Sequence, residues 1–214
     1  WTLDRKLVAG TTRSRMRVID RCPAGPFDVT ESVLAELSLC PRDRFFRIRI
    51  FRSHSRSLKL ARVLRLPRSV LTPESYAHPP AEEDASLAIN GRFLLLVAGS
   101  RPRLIDWRSG RTLRAFRSTD PGPVMTEVDR HGNAYFVVAN DVRKVVRRPW
   151  PSGARQIFNW PSADVSPSRM IGDRLVFMPS GYFIPNRGLV AMKLADGSIE
   201  QYGAPPTSNL NSQI

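Results

Sequence analysis

Asn90-Gly91-Arg92-Phe93-Leu94-Leu95-Leu96-Val97 decides the fold, because the chain repeats its pattern twice. His131-Gly132-Asn133-Ala134-Tyr135-Phe136-Val137-Val138 follows, then Ile171-Gly172-Asp173-Arg174-Leu175-Val176-Phe177-Met178, with the glycines 41 and 40 residues apart. Each copy is a polar-glycine turn that runs into an apolar strand. Such turns need positive φ, which glycine reaches without a Cβ clash, so Asn-Gly between apolar runs marks a tight hairpin. A second series, Gly110, Gly153 and Gly197, keeps step at spacings of 43 and 44 and marks another turn in each unit.

Outward from Asn90, residues 86–89, 93–98, 103–107 and 112–116 read as four short antiparallel strands. The same order returns over 126–160 and 165–203. Units of 40–45 residues built only of short strands predict an all-β fold, a β-propeller whose blades are four-stranded antiparallel sheets. The amino-terminal third joins the series on alignment: Val8-Ala9-Gly10 matches Val97-Ala98-Gly99, and Val18-Ile19-Asp20 matches Leu104-Ile105-Asp106. Five units result, 1–25, 29–68, 86–118, 126–160 and 165–203, within one domain over 1–203. The first lacks a front strand. The second is irregular, with strands expected over 33–39, 45–51 and 58–66. The Pro-rich, acidic stretch 71–84 reads as an exposed loop and 204–214 as a flexible tail. Because the chain opens at Trp1 and its first unit is short, an incomplete ring is favoured over a small ring closed alone. Strands supplied by a neighbour in an assembly are a third arrangement.

The net charge of +14 comes from 33 basic and 19 acidic residues, and only Lys6, Lys59, Lys144 and Lys193 are lysines. A GC-rich genome accounts for arginine over lysine, but not for the excess of basic over acidic residues. Arginine suits bidentate contacts to phosphate and carboxylate, so the excess points to RNA or an acidic protein as partner. No apolar run approaches the roughly 20 residues that cross a bilayer. There is no Asn-x-Ser/Thr sequon and no signal-peptide pattern, which favours an intracellular compartment over secretion. Cys22 and Cys40 read as two reduced small hydrophobes, with a cross-strand disulfide as the alternative.

Residues 104–116, Leu-Ile-Asp-Trp-Arg-Ser-Gly-Arg-Thr-Leu-Arg-Ala-Phe, resemble the end of a WD40 or quinoprotein-type blade, with Ile105-Asp106 where WD40 blades carry Trp-Asp. Asp129-Arg130-His131-Gly132-Asn133-Ala134-Tyr135 resembles the opening of NHL-type blades. These likenesses imply the propeller superfamily and no single family within it.

The sharpest functional candidate is the basic run in the second unit. In Phe46-Arg47-Ile48-Arg49-Ile50 the period of two turns the isoleucines inward and Arg47 and Arg49 outward. Arg52, Arg56, Lys59, Arg62, Arg65 and Arg68 follow, so a hairpin with cations on one face is expected. A solvated outer strand is the plain alternative. Arg143, Lys144, Arg147 and Arg148 form a second, shorter cluster. Asp20 and Asp106 hold matching positions and are expected to accept hydrogen bonds from turn amides. His131 fits a turn role, while His54 and His78 have no evident acidic partner. Glu82, Glu83 and Asp84 read as a solvated run. Trp107, Trp150, Trp160, Phe116, Phe158 and Tyr202 are expected to pack between blades, with carbohydrate binding as the alternative.

No nucleophile elbow, P-loop or dinucleotide fingerprint is present, and no zinc-ligand set can be assembled. The sequence therefore points to a non-catalytic interaction scaffold without cofactor or metal. Its Arg-rich face would meet an acidic protein or RNA, as a lone domain or as a subunit of a larger assembly. The alternative is a propeller enzyme, or a propeller that binds a small ligand or carbohydrate, quinoprotein-like or hydrolase-like.

Overall fold

The computed structural model describes residues 2–3, 6–9, 17–18, 24–30, 32–38, 45–54, 57–67, 85–98, 102–116, 125–138, 143–159, 165–179 and 188–203. Nineteen strands and no helix are found among them. The first three strands, β1 (Thr2–Leu3), β2 (Lys6–Ala9) and β3 (Arg17–Val18), form a three-stranded sheet in that order. A short strand thus stands ahead of β2, where the sequence suggested none.

Four four-stranded antiparallel sheets follow. The second unit comprises β4 (Ala24–Val29), β5 (Val33–Ser38), β6 (Phe45–His54) and β7 (Ser57–Pro67). Its first strand precedes the start expected at 29. The third unit holds β8 (Ala85–Asn90), β9 (Phe93–Ala98), β10 (Arg103–Asp106) and β11 (Arg111–Ala115). The fourth holds β12 (Met125–Val128), β13 (Ala134–Val138), β14 (Lys144–Arg148) and β15 (Gln156–Asn159). The fifth holds β16 (Val165–Ile171), β17 (Arg174–Pro179), β18 (Leu189–Lys193) and β19 (Ile199–Tyr202). In each sheet spatial order equals chain order, so every unit is a simple meander.

Both repeat-glycine series lie in the turns, and all six residues take positive φ, from 57° at Gly91 to 137° at Gly153. The apolar strands β9 and β13 after the first two of these turns are buried on both faces, which is why they read as unbroken hydrophobic runs, whereas β17 buries Leu175 and Phe177 and leaves Met178 exposed. Along β9, Leu94 and Leu96 pack against Ile48, Ile50 and Leu64 of the preceding sheet. The alternate residues Phe93, Leu95 and Val97 pack against Ala134, Phe136 and Val146 of the next. Along β13 the division recurs: Ala134 and Phe136 face back, while Tyr135 and Val137 meet Leu175, Phe177 and Met192. Period-two alternation thus serves two inter-sheet cores at once.

The innermost strands β4, β8, β12 and β16 line one polar cavity, which places the four sheets radially about a common axis. They are the blades of a β-propeller. The outermost strands β7, β11, β15 and β19 are largely solvent-facing.

Candidate functional site

Two regions gather the chemically capable side chains: the β6–β7 hairpin at the rim and the polar cavity on the axis. The hairpin forms because apolar and basic residues alternate along β6, and Ile48 and Ile50 are fully buried against the next blade. The cations, however, are divided between two faces. Cross-strand partners share a face of a sheet. Arg47 pairs with Ser38 and Arg65, and Arg49 with Glu36 and Val63. Arg47 and Arg49 are half-buried there, beside Glu36 and Ser38, which are buried. Arg52 pairs with Val33 and Lys59, and Arg62 with Ile50, on the opposite face. A register shift between Ile50 and Phe51 is accommodated in β7 around Leu60 and Ala61, where the alternation of its side chains resets. The expected one-faced stripe is therefore corrected to two groups.

Arg52 and Arg62 of the second group are committed to the neighbouring blade. The Arg62 guanidinium donates to the carbonyls of Arg108 and Ser109, the latter at 3.0 Å. Arg52 lies 5.1 Å from the centroid of the Trp107 ring. These contacts fasten the hairpin to the 106–111 turn. Lys59 and Arg65, both on β7, are exposed. Arg56 and Arg68 lie outside the described residues, as do Cys22, Cys40, Asp20, His78, the run 82–84, Trp160 and the segments 71–84 and 204–214.

The second basic cluster is likewise spread over a strand. Arg147 pairs with Tyr135 and its Nη1 donates to Gln156 Oε1 at 2.8 Å. Lys144 and Arg148 point to the opposite face, and Arg143 precedes the strand, exposed. Val145 and Val146 between them are buried in two different cores.

The acidic turn residues behave as their positions imply. Asp106 Oδ1 accepts from the amides of Arg108 at 2.9 Å and Ser109 at 3.3 Å. Asp129 does more. Its Oδ1 accepts from the amides of His131 and Asn133, and its Oδ2 from Asn133 Nδ2 at 2.7 Å and the Tyr135 hydroxyl at 3.0 Å. Asn133 Oδ1 in turn accepts from the Trp150 amide at 2.9 Å, which ties the turn to the far end of β14. Burial and the adjacent Asp129 carboxylate hold the Tyr135 phenol well above its ordinary range. The Asp-x-x-Gly-Asn-x-Tyr pattern is thus one buried hydrogen-bond hub. Trp107 and Phe116 are buried between blades, Trp150 packs against the core that holds Phe116, and Phe158 packs against the core between the fourth and fifth units, whereas Tyr202 is exposed.

The axial cavity is an open depression of about 380 Å³ lined by Asp28, Ser86, Thr126, Glu127, Ser168 and Arg169, with apolar residues between. Sequence reasoning did not find it, because nothing local relates Asp28 to Arg169, 141 positions away. Its charged groups hold one another and the inner strands. Asp28 Oδ2 accepts from the Ile89 amide at 2.7 Å, joining two blades. Arg169 donates to the Val29 carbonyl and lies 3.7 Å from the Asp28 carboxylate, spanning the second and fifth units. Ser86 and Thr126 share a 2.7 Å hydrogen bond. Glu127 Oε1 accepts from the Met170 amide at 3.2 Å.

Burial pushes the Glu127 carboxyl up to about 7; Asp28 also raises it, while the Met170 amide and Arg169 oppose the shift. The folded state therefore binds this proton more tightly than the unfolded chain, whose carboxyl titrates near 4.5. Stability falls as pH rises from about 4.5 to 7, and what the proton contributes is lost above that. We expect wild type to be more stable at pH 5 than at pH 8, with about 1–3 kcal/mol of the difference removed by Glu127→Gln. Urea unfolding of both proteins at the two pH values checks this; an unchanged difference in the variant would refute it.

No protein-family model matches the chain, and no curated protein matches it. Solved structures do. The chain is similar to the β-propeller domain of Cps50 (Swd1) from Myceliophteria thermophila, at 13% identity and TM-score 0.44, over 89% of this chain and 63% of that one. It is similar to the WD40 domain of SCAP from fission yeast, at 10% identity and TM-score 0.44, over 92% and 57%. It is similar also to the β-propeller domain of the Trilobed protease from Pyrococcus furiosus, at 13% identity and TM-score 0.44, over 87% and 59%. All three are propellers, and so, by its own sheets, is this chain. It spans about three fifths of each of them.

Proposed function

We propose that this propeller is a non-catalytic interaction scaffold that binds an acidic protein segment at the rim of its second blade. The observation that carries the reading is the composition of β7. Leu58, Leu60 and Val63 are 37%, 56% and 39% exposed there, beside the exposed Lys59 and Arg65. Exposed apolar side chains interleaved with cations fit a polypeptide that is both acidic and partly apolar. They fit a phosphate backbone less well, since the neighbouring cations Arg52 and Arg62 are engaged by the next blade. A ligand-binding or catalytic ring is the second reading, favoured by the axial cavity. Its carboxylates and Arg169 are engaged mainly with backbone and with each other, which suits fastening the ring better than chemistry.

The test is titration of the full chain with poly-L-glutamate and with poly-uridine RNA between about 50 and 200 mM salt. Salt-sensitive binding of poly-L-glutamate is expected, weakened about tenfold by the double variant Lys59→Glu/Arg65→Glu. Tighter binding of the RNA, or binding indifferent to the double variant, would overturn the proposal.

A further inference from the structure

We infer that the outer edge of β7 accepts an extended acidic segment of a partner protein as a fifth strand of the second blade. This rests on the acidic-partner reading above and adds the manner of binding. β7 runs for 11 residues, against 5, 4 and 4 for the outer strands β11, β15 and β19. Its pairing with β6 extends from Phe45↔Pro67 to His54↔Ser57, whereas β5 meets β6 only from Val33↔Arg52 to Ser38↔Arg47. The rim strand is thus longer than the blade needs. An outermost strand offers a row of main-chain donors and acceptors on its far side, and natural proteins ordinarily keep such edges short. Main-chain pairing supplies affinity to an added strand, and alternate side chains supply selectivity.

The charge pattern selects the occupant. Residues 45–67 contain no Asp or Glu, while β7 exposes Lys59 and Arg65. Two copies of β7 edge to edge would set cations near cations, which disfavours self-pairing. The same cations attract an acidic strand, so one feature repels the chain's own copies and admits the partner. By register, Leu58, Leu60, Val63 and Arg65 share one face, and Lys59 lies on the other. A fitting segment therefore carries carboxylates together with β-branched or aliphatic residues in period two.

The experiment uses the full chain and an eight-residue synthetic peptide alternating glutamate and valine. Two further forms are N-methylated on alternate amides, one set along each edge. An added strand turns alternate amides toward its neighbour. We expect the parent peptide to bind and to slow hydrogen exchange of the β7 amides. One N-methylated form should bind at least about tenfold more weakly, and the other nearly as well as the parent. If both methylated forms bind like the parent, or if poly-L-glutamate binds and the peptide does not, strand addition is overturned while the acidic-partner reading stands. If neither acidic probe binds, both fail.

Discussion

Asp129→Ala is expected to destabilise the protein by roughly 2–4 kcal/mol, the largest loss from any single side chain outside the apolar cores. The carboxylate is buried, and four donors converge on it: two turn amides, the Asn133 amide nitrogen and the Tyr135 hydroxyl. Removing it leaves the buried donors of Asn133 and Tyr135 without an acceptor, while the His131 amide lies nearer solvent. An unsatisfied buried donor costs about 1–3 kcal/mol, far more than the net worth of the bond it lost. Asn133 would also lose its orientation, and with it the bond to the Trp150 amide. Asp106 is the internal control. It occupies a comparable turn but accepts two amides at a partly exposed site, so Asp106→Ala should cost about 1 kcal/mol. Urea midpoints for the two variants, at unchanged slope, decide the matter. Equal losses would show that Asp129 is an ordinary turn residue.

Gly132→Ala carries the second large effect, roughly 2–4 kcal/mol of destabilisation. Gly132 has φ of 88°, which a Cβ disfavours by about 1–2 kcal/mol. A Cβ here would also stand 2.7 Å from the Phe93 ring, which is 4% exposed and wedged between two blades. The ring cannot swing away without disturbing that core, and overpacking of this kind costs about 1–3 kcal/mol. Gly91 is the matched case: its φ is 57° and a Cβ would meet nothing within 4 Å. Gly91→Ala should therefore cost only the backbone component, about 1 kcal/mol. Thermal or urea unfolding of both variants tests the contrast, and similar losses would mean the Phe93 contact yields freely.

The legible part of this protein is the part that is local. Asn90-Gly91, His131-Gly132 and Ile171-Gly172 announce turns because φ above zero is a demand on a few consecutive residues. The apolar run at 93–97 announces a strand buried on both faces for the same reason. The second blade was harder to read: β4 begins with Ala24-Gly25-Pro26, and the register shift in the β6–β7 hairpin resets the alternation that a linear reading extends. The arginines divide by the plain two-residue period, Arg47, Arg49 and Arg65 on one face and Arg52 and Arg62 on the other, and the shift adds Lys59 to the second face while turning Leu58 and Leu60 to the first. The axial group was not legible at all, since Asp28, Glu127 and Arg169 meet only after the blades are arranged around their axis.

By itself the sequence determined the unit, its period and its turns, because backbone φ and the two-residue strand period are properties of neighbours along the chain. Tertiary structure alone decided what each equivalent residue faces. Gly91 meets open space and Gly132 a buried ring. Arg62 meets carbonyls of the next blade, while Arg65 on the same strand is exposed. Blades repeat in sequence, but each meets different neighbours, and contact energies depend on the neighbour.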